Sequence, residues 1–365
     1  MVQTENATAA SLLQQGLTFS QVGDYADAIA YFDQSLALDP SLFDAFSEKG
    51  SALINLGQHE AAIAHFEKAI SHHPHSGYFH YSRAWAAYVA GHFDIAIASF
   101  HRVLELQPNY PYAQYSQGLT LYAIGRYEEA IPYFLKAIEQ FPNFADAWYM
   151  HGAALYITNR YEGAIDYFNR ALELRPDSEE ALYNRGNALL CVGDYEAAIV
   201  SYEKVLTSQP DDANAWYYRG IALKQLNRHE TAIASYQKAI ELQPDHLHAW
   251  YQQACSCMRL NDLEAAIANF DRALQHKPDF YEAWYNRGVT LKNLGQLAQS
   301  VESYNKALAL RPNDFRAWNN RGGVLCSLGR FEEAVASYDK VLALKPNDEL
   351  ALKNRSVAIR RIQQG

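Results

Sequence analysis

Cysteine is scarce: four residues (Cys191, Cys255, Cys257 and Cys326) in a chain of 365 make no disulfide framework, so a reducing, cytoplasmic setting is expected. Long apolar runs are missing too. No stretch reaches the roughly 18 apolar residues of a transmembrane helix, and the opening MVQTENATAASLLQQ has neither the basic nor the apolar region of a secretory signal. Positive charge is not in excess: 31 Lys plus Arg face 41 Asp plus Glu, a net −10 that argues against a nucleic-acid binder. The phosphate-cradling GxxxxGK, the nucleophile elbow GxSxG and the zinc helix HExxH are all absent. The chain therefore reads as non-enzymatic, with no cofactor and no membrane insertion expected.

What is present is a period. Ten prolines, from Pro40 and Pro74 through to Pro312 and Pro346, stand 34 residues apart without one insertion, and only Pro111 and Pro132 fall outside the series. A fixed period of this size means a repeat array. With the proline as position 32, the units run 9–42, 43–76, 77–110, 111–144, 145–178, 179–212, 213–246, 247–280, 281–314 and 315–348. Position 8 is Gly or Ala throughout, position 20 is Ala except for Ser300, and position 24 is always Phe or Tyr. Small residues facing a ring let two helices approach closely. Position 15 is Gly or Asn in every unit, the two residues that best tolerate the left-handed end of a helix. The pattern predicts a first helix over about positions 2–14 and a second over 18–31, with the proline ending each hairpin. Such a hairpin cannot bury its apolar face alone, and stacking supplies the core.

These residues resemble the tetratricopeptide repeat, W-x2-L-G-x2-Y…A-x3-F…P at a period of 34. Unit nine carries Trp284, Gly288, Leu291, Ser300, Tyr304 and Pro312, and unit seven Trp216, Gly220, Leu223, Ala232, Tyr236 and Pro244. The resemblance, which extends to bacterial scaffold proteins of this family, implies an all-α, right-handed superhelix of ten helical hairpins. Residues 349–365 repeat the first-helix pattern once more and read as a C-terminal capping helix, and residues 1–8 as a polar tail.

Several positions depart from the pattern. Position 4, usually large and apolar, is His80 in unit three and Gln114 in unit four, and Pro132 should kink the second helix of unit four. Rules broken at neighbouring places can mark function or tolerated drift. Arg83, Arg185, Arg219, Arg287, Arg321 and Arg355 at position 7 are expected to pack their stems and find a carboxylate. His72, His73, His75 and His80 read as a histidine-rich loop rather than a metal site, and Cys255 and Cys257 as small apolar fillers.

The resemblance further implies that first helices line a groove, mainly through positions 2, 5, 6, 9, 12 and 13, in which partner peptides lie extended. Units three to five place Tyr78, Tyr81, Trp85, Tyr88, Tyr112, Tyr115, Leu119, Tyr122, Tyr149, Met150, Tyr156 and Ile157 there. Tyrosine at position 5 recurs from Tyr81 to Tyr285, but the additional rings at positions 2, 9 and 12 are confined to these units. Later units offer amides (Asn184, Asn187, Asn286, Asn320, Asn354) and cations (Lys224, Arg259, Lys292, Arg316, Lys353, with Arg360 and Arg361). Asparagine at position 6 is similar to the repeat region of O-GlcNAc transferases, whereas no three successive units match a chaperone-tail carboxylate clamp.

Charge is divided along the chain: residues 1–178 hold 9 basic and 19 acidic residues, and residues 179–365 hold 22 of each. The expectation is a scaffold or adaptor that binds extended segments of a partner protein. Its rivals are a self-assembling protein that pairs through its array ends and a regulatory subunit docked on a folded enzyme.

Overall fold

A computed structural model describes residues 8–364; residues 1–7 of the predicted tail, and Gly365, lie outside the described residues. Among the described residues there are 21 α-helices, from Ala9–Gln21 to Glu349–Gln364, and no strand. Helices alternate as the period requires, but one residue earlier than predicted: in unit five the pair is Ala145–Ile157 and Tyr161–Leu174, positions 1–13 and 17–30. Thr8, assigned to the tail, caps the first helix, its hydroxyl accepting from the Ser11 amide while Ser11 accepts from the Thr8 amide.

The hairpin turn forms as position 15 predicts. All ten residues there, seven glycines and Asn159, Asn227 and Asn261, have φ between 57° and 85°. At Gly57 the amide donates to the Ile54 carbonyl and that of Gln58 to Leu53, the paired bonds of a Schellman turn. Between the helices, the position-24 ring fills the space over position 8. A Cβ added at Gly16 or Gly220 would lie 2.5 Å from the Phe32 or Tyr236 ring. Where position 20 is Ser300, its buried hydroxyl donates to the Gly288 carbonyl at 2.7 Å, so the exception keeps the close approach.

Unit four differs. Pro111 stands at position 1, and the first helix is cut to Ala113–Ala123, 11 residues instead of 13. Its N-cap, Tyr112, has φ +59°, a left-handed conformation rarely adopted by a residue with a bulky side chain. The predicted disruption at Pro132 takes a milder form. The helix Tyr127–Gln140 continues through it at the usual 14 residues, and Pro132 is exposed, where solvent can reach the backbone it leaves without a donor.

The chain forms two compact units, one ending at Asn184 and one starting at Arg185. Within each, first helices of successive repeats touch one another, while among the described residues second helices touch only first helices. First helices therefore form the tighter side of each unit. In the second unit, Glu349–Gln364 packs on the last hairpin through the buried Ala351 and Ala358, as a capping helix does.

Candidate functional site: the first-helix face

Two hydrogen-bond series fix the first helices, and both alter how the sequence is read. In the first, the position-4 indole donates to the carbonyl of the proline six residues upstream: Trp148 to Pro142, Trp216 to Pro210 and Trp250 to Pro244, each at 2.9 Å. His80 bonds the Pro74 carbonyl through Nε2 at 3.1 Å, so its departure from the pattern preserves the same bond. Gln114 makes no such bond: its Oε1 is buried with no partner among the described residues.

The position-7 arginines bridge three helices. Arg287 donates to Ser303 of its own repeat and to Asp271 of the preceding one, and Arg83 to Ser99 and Glu67. Arg219 and Arg355 also reach carboxylates, on Glu203 and Asp339. Among the described residues Arg185 bonds only the hydroxyl of Ser201, while Arg321 bonds Ser337 and the Asn305 Oδ1 and lies 3.9 Å from the Glu333 carboxylate. Arg219, Arg287 and Arg321 lie over the position-4 indoles at 5.6–5.7 Å.

Unit five puts a different pair in these places, with His151 stacked on Tyr167 at 3.9 Å. Burial lowers its pKa from the usual 6.5 to about 4, and does the same to His65, whose Nε2 meets the Phe46 carbonyl. Both bind a proton in the unfolded chain near pH 6.5 but remain neutral when folded. Their stabilisation is therefore complete above pH 6.5 and is lost as pH falls from there toward 4. Between pH 7 and 5 the stability of the first unit should drop by about 1–2 kcal/mol per histidine. Urea unfolding at the two pH values checks this, and His65→Gln with His151→Gln should flatten the difference.

The remaining histidines of the 72–80 group diverge. His73 bonds the Ser41 carbonyl, His72 lies against Phe46, and His75 is exposed. Among the described residues no three His, Cys, Asp or Glu side chains come together as a metal site. Cys257 is buried, its thiol pushed up to about 11, and burial raises Cys255 as well, so both are poor nucleophiles.

The position-5 tyrosines, expected to line the groove, are packed rather than fully presented. Tyr81, Tyr115 and Tyr149 are half-buried against the rings of Phe100, Phe134 and Phe168. Their hydroxyls meet position 6 of the next repeat: Tyr81 pairs with Ser116, and Tyr149, Tyr251 and Tyr285 accept from the Nδ2 of Asn184, Asn286 and Asn320 at 2.9–3.0 Å. The amide ladder is thus partly occupied, leaving one N–H and the Oδ1 of each asparagine free of this bond. Asn187 lies inside its own hairpin, accepting from the Tyr202 hydroxyl.

Trp85, 36% exposed, stacks on Tyr88 at 5.5 Å, and Tyr112, 50% exposed, stacks on Phe141 at 5.3 Å. Tyr122 and Tyr156 pack on Tyr127 and Tyr161, Tyr78 accepts from Ser47, and Leu119 and Met150 are half-buried. Lys224 bonds Gln252 and Arg316 bonds Asp314, while Arg259, Lys292 and Lys353 are exposed and Asn354 half-buried.

Residues outside the predicted set complete the face. Asp44, Glu48, Asp146 and Glu180 occupy its positions in the first unit, where no Lys or Arg does; from Arg185 onward Glu282 is the one acid there. Burial and the neighbouring Asp44 raise the Glu48 pKa. The signal was available in the charges at positions 2 and 6.

Stacked hairpins closed by a left-handed turn, with one helix of each pair forming the tighter side, define a helical-repeat protein. Family models for the tetratricopeptide repeat match residues 13–78, 81–143, 117–179 and 183–246, with further repeat models on 254–295, 281–314 and 315–348; the chain belongs to this family. Tetratricopeptide-repeat proteins mediate protein–protein interactions. Among curated proteins no significant match is found. Solved structures with similarity include MamA, 23% identical over 47% of this chain and 93% of that one, with a TM-score of 0.45. The 41-end segment of MamA from Desulfovibrio magneticus RS-1 is 26% identical over 46% and 94%, with a TM-score of 0.44. YrrB, described as a TPR protein with an unusual peptide-binding site, is 24% identical over 61% and 97%, with a TM-score of 0.40. No helix among the described residues is long and apolar enough to cross a membrane.

Proposed function

We propose that the chain is a non-enzymatic interaction scaffold whose first unit binds an extended protein segment along the first-helix face of repeats three to five. The observation that carries this is the exposed Trp85 ring, stacked on the half-buried Tyr88. The fold does not require a ring at position 9: the same place in repeat ten is Gly323, with open space around it. Aromatic side chains give large contact area at low entropic cost, which is why they anchor interfaces. In the second unit, Lys224, Arg259, Lys292, Arg316, Lys353, Arg360 and Arg361 with the asparagine amides suit an acidic segment. The free thiols fit a reducing cytoplasm.

Trp85→Ala tests the reading. Affinity for a fluorescein-labelled randomised decapeptide pool should fall about tenfold or more, as for an interface anchor, with the helical melting curve nearly unchanged. Unaltered affinity would remove the aromatic face from the account.

A further inference from the structure

Between Tyr81 and Tyr149, which both make the bond from position 5 to position 6 of the next repeat, the pairing is interrupted at Tyr115. Position 6 carries a hydrogen-bonding side chain in every repeat but the fifth, where it is Met150. The hydroxyl it leaves is that of Tyr115, which makes no hydrogen bond among the described residues, although its ring is fixed against Phe144 at 4.7 Å. At this interruption lies a pocket of about 240 Å³, lined by Tyr115, Asp146, Tyr149, Met150, Arg175 and Glu180, with small residues between them. That is below the roughly 300 Å³ at which small-molecule sites begin, and is the scale of a single side chain.

The chemistry of the lining selects that side chain. Asp146 is already forked onto Arg175, at 2.9 and 3.5 Å. Among the described residues Glu180 meets only the Ser178 hydroxyl, at 3.4 Å, and leaves the pocket with one net negative charge. The charge of Asp146 acts on Tyr115 and that of Glu180 on Tyr149, adding to burial in raising both phenols, so both remain protonated. Two tyrosine rings, a thioether and an under-partnered carboxylate suit a planar cation that stacks and donates in a fork. The surrounding first-helix face of this unit has acids and no base.

We infer that this pocket seats an arginine side chain of an extended basic segment, with Glu180 and the Tyr115 hydroxyl as acceptors and the Tyr149 ring as a wall. The inference rests on the interaction reading above and adds the charge class of the partner.

Three fluorescein-labelled decapeptide pools test it, with Arg, Gln or Glu at alternate positions and the rest randomised, each measured by fluorescence anisotropy on the full chain. The Arg pool should bind about tenfold more tightly than the Gln pool at low salt, the Glu pool being drawn instead to the basic second unit, and the advantage should shrink near 0.5 M salt. Glu180→Gln and Tyr115→Phe, both of which keep the side-chain shape, should each weaken the Arg pool about three- to tenfold while leaving the Gln pool unchanged. Equal affinity for the three pools, with Trp85→Ala still weakening all of them, would overturn the pocket assignment and leave the scaffold reading standing. Binding of no pool would overturn both. Arg preference untouched by either variant would place the basic contact elsewhere and overturn the assignment.

Discussion

Phe134→Ala should destabilise the first unit by about 3–5 kcal/mol, the range for deleting a fully buried aromatic ring. The ring is 0% exposed and lies between the two helices of repeat four, close over Gly118 and 5.9 Å from Tyr115. Relaxation cannot fill the gap cheaply, because Gly118 has no side chain to move into it and the facing Ala130, already fully buried, carries only a methyl group. A hairpin that loses its internal ring also loses its grip on both neighbours, since stability in an array is a sum of unit and interface contributions. Urea unfolding followed by circular dichroism reads the loss, and amide exchange should locate the earliest opening in residues 113–140. A cost under 1 kcal/mol, the range of a surface substitution, would show that the ring does not hold the hairpin.

Gly50→Val probes the same contact from the other side. A Cβ at Gly50 would stand 2.1 Å from the Phe66 ring, which is itself 0% exposed and next to Phe79 at 6.3 Å. Alanine occurs at this position as Ala84 and Ala254, so a methyl group is tolerated where the ring can shift. Two further methyl groups on a β-branched side chain leave it no rotamer clear of the ring. Overpacking of this kind costs about 1–3 kcal/mol, against the roughly 0.5–1 kcal/mol that replacing a helical glycine returns. Thermal unfolding compared with Gly50→Ala separates the two contributions: Ala should be close to neutral and Val clearly destabilising.

Much of the architecture was legible because its causes are local. Glycine or asparagine at position 15 dictates a left-handed turn, and all ten residues adopt it. Small residues opposite a ring dictate close helices, and the rings of positions 24 are buried as that requires. The one-residue offset at the end of the first helix has a local cause as well, since the Schellman turn makes position 14, Leu56 in repeat two, the C-cap rather than the last helical residue. What the pattern could not show is pairing between repeats. Tyr149 and Asn184 stand 35 residues apart, and their bond turns two expected groove residues into partners of one another. The first helix of unit four starts two residues late, after Pro111 at position 1 and the left-handed Tyr112 that caps it. His80 looked anomalous only because residue size was compared; by hydrogen-bonding capacity it matches tryptophan, reaching the same proline carbonyl.

The first-helix face is the part of the account on which function depends, and site-specific photo-cross-linking tests it most directly. A benzophenone amino acid in place of Trp85 should cross-link to a labelled decapeptide pool, saturably and in competition with unlabelled peptide. The same residue in place of Ala98, exposed on the second helix of the same repeat, should give only background. Equal labelling from the two positions, or labelling from Ala98 alone, would contradict binding on the first-helix face.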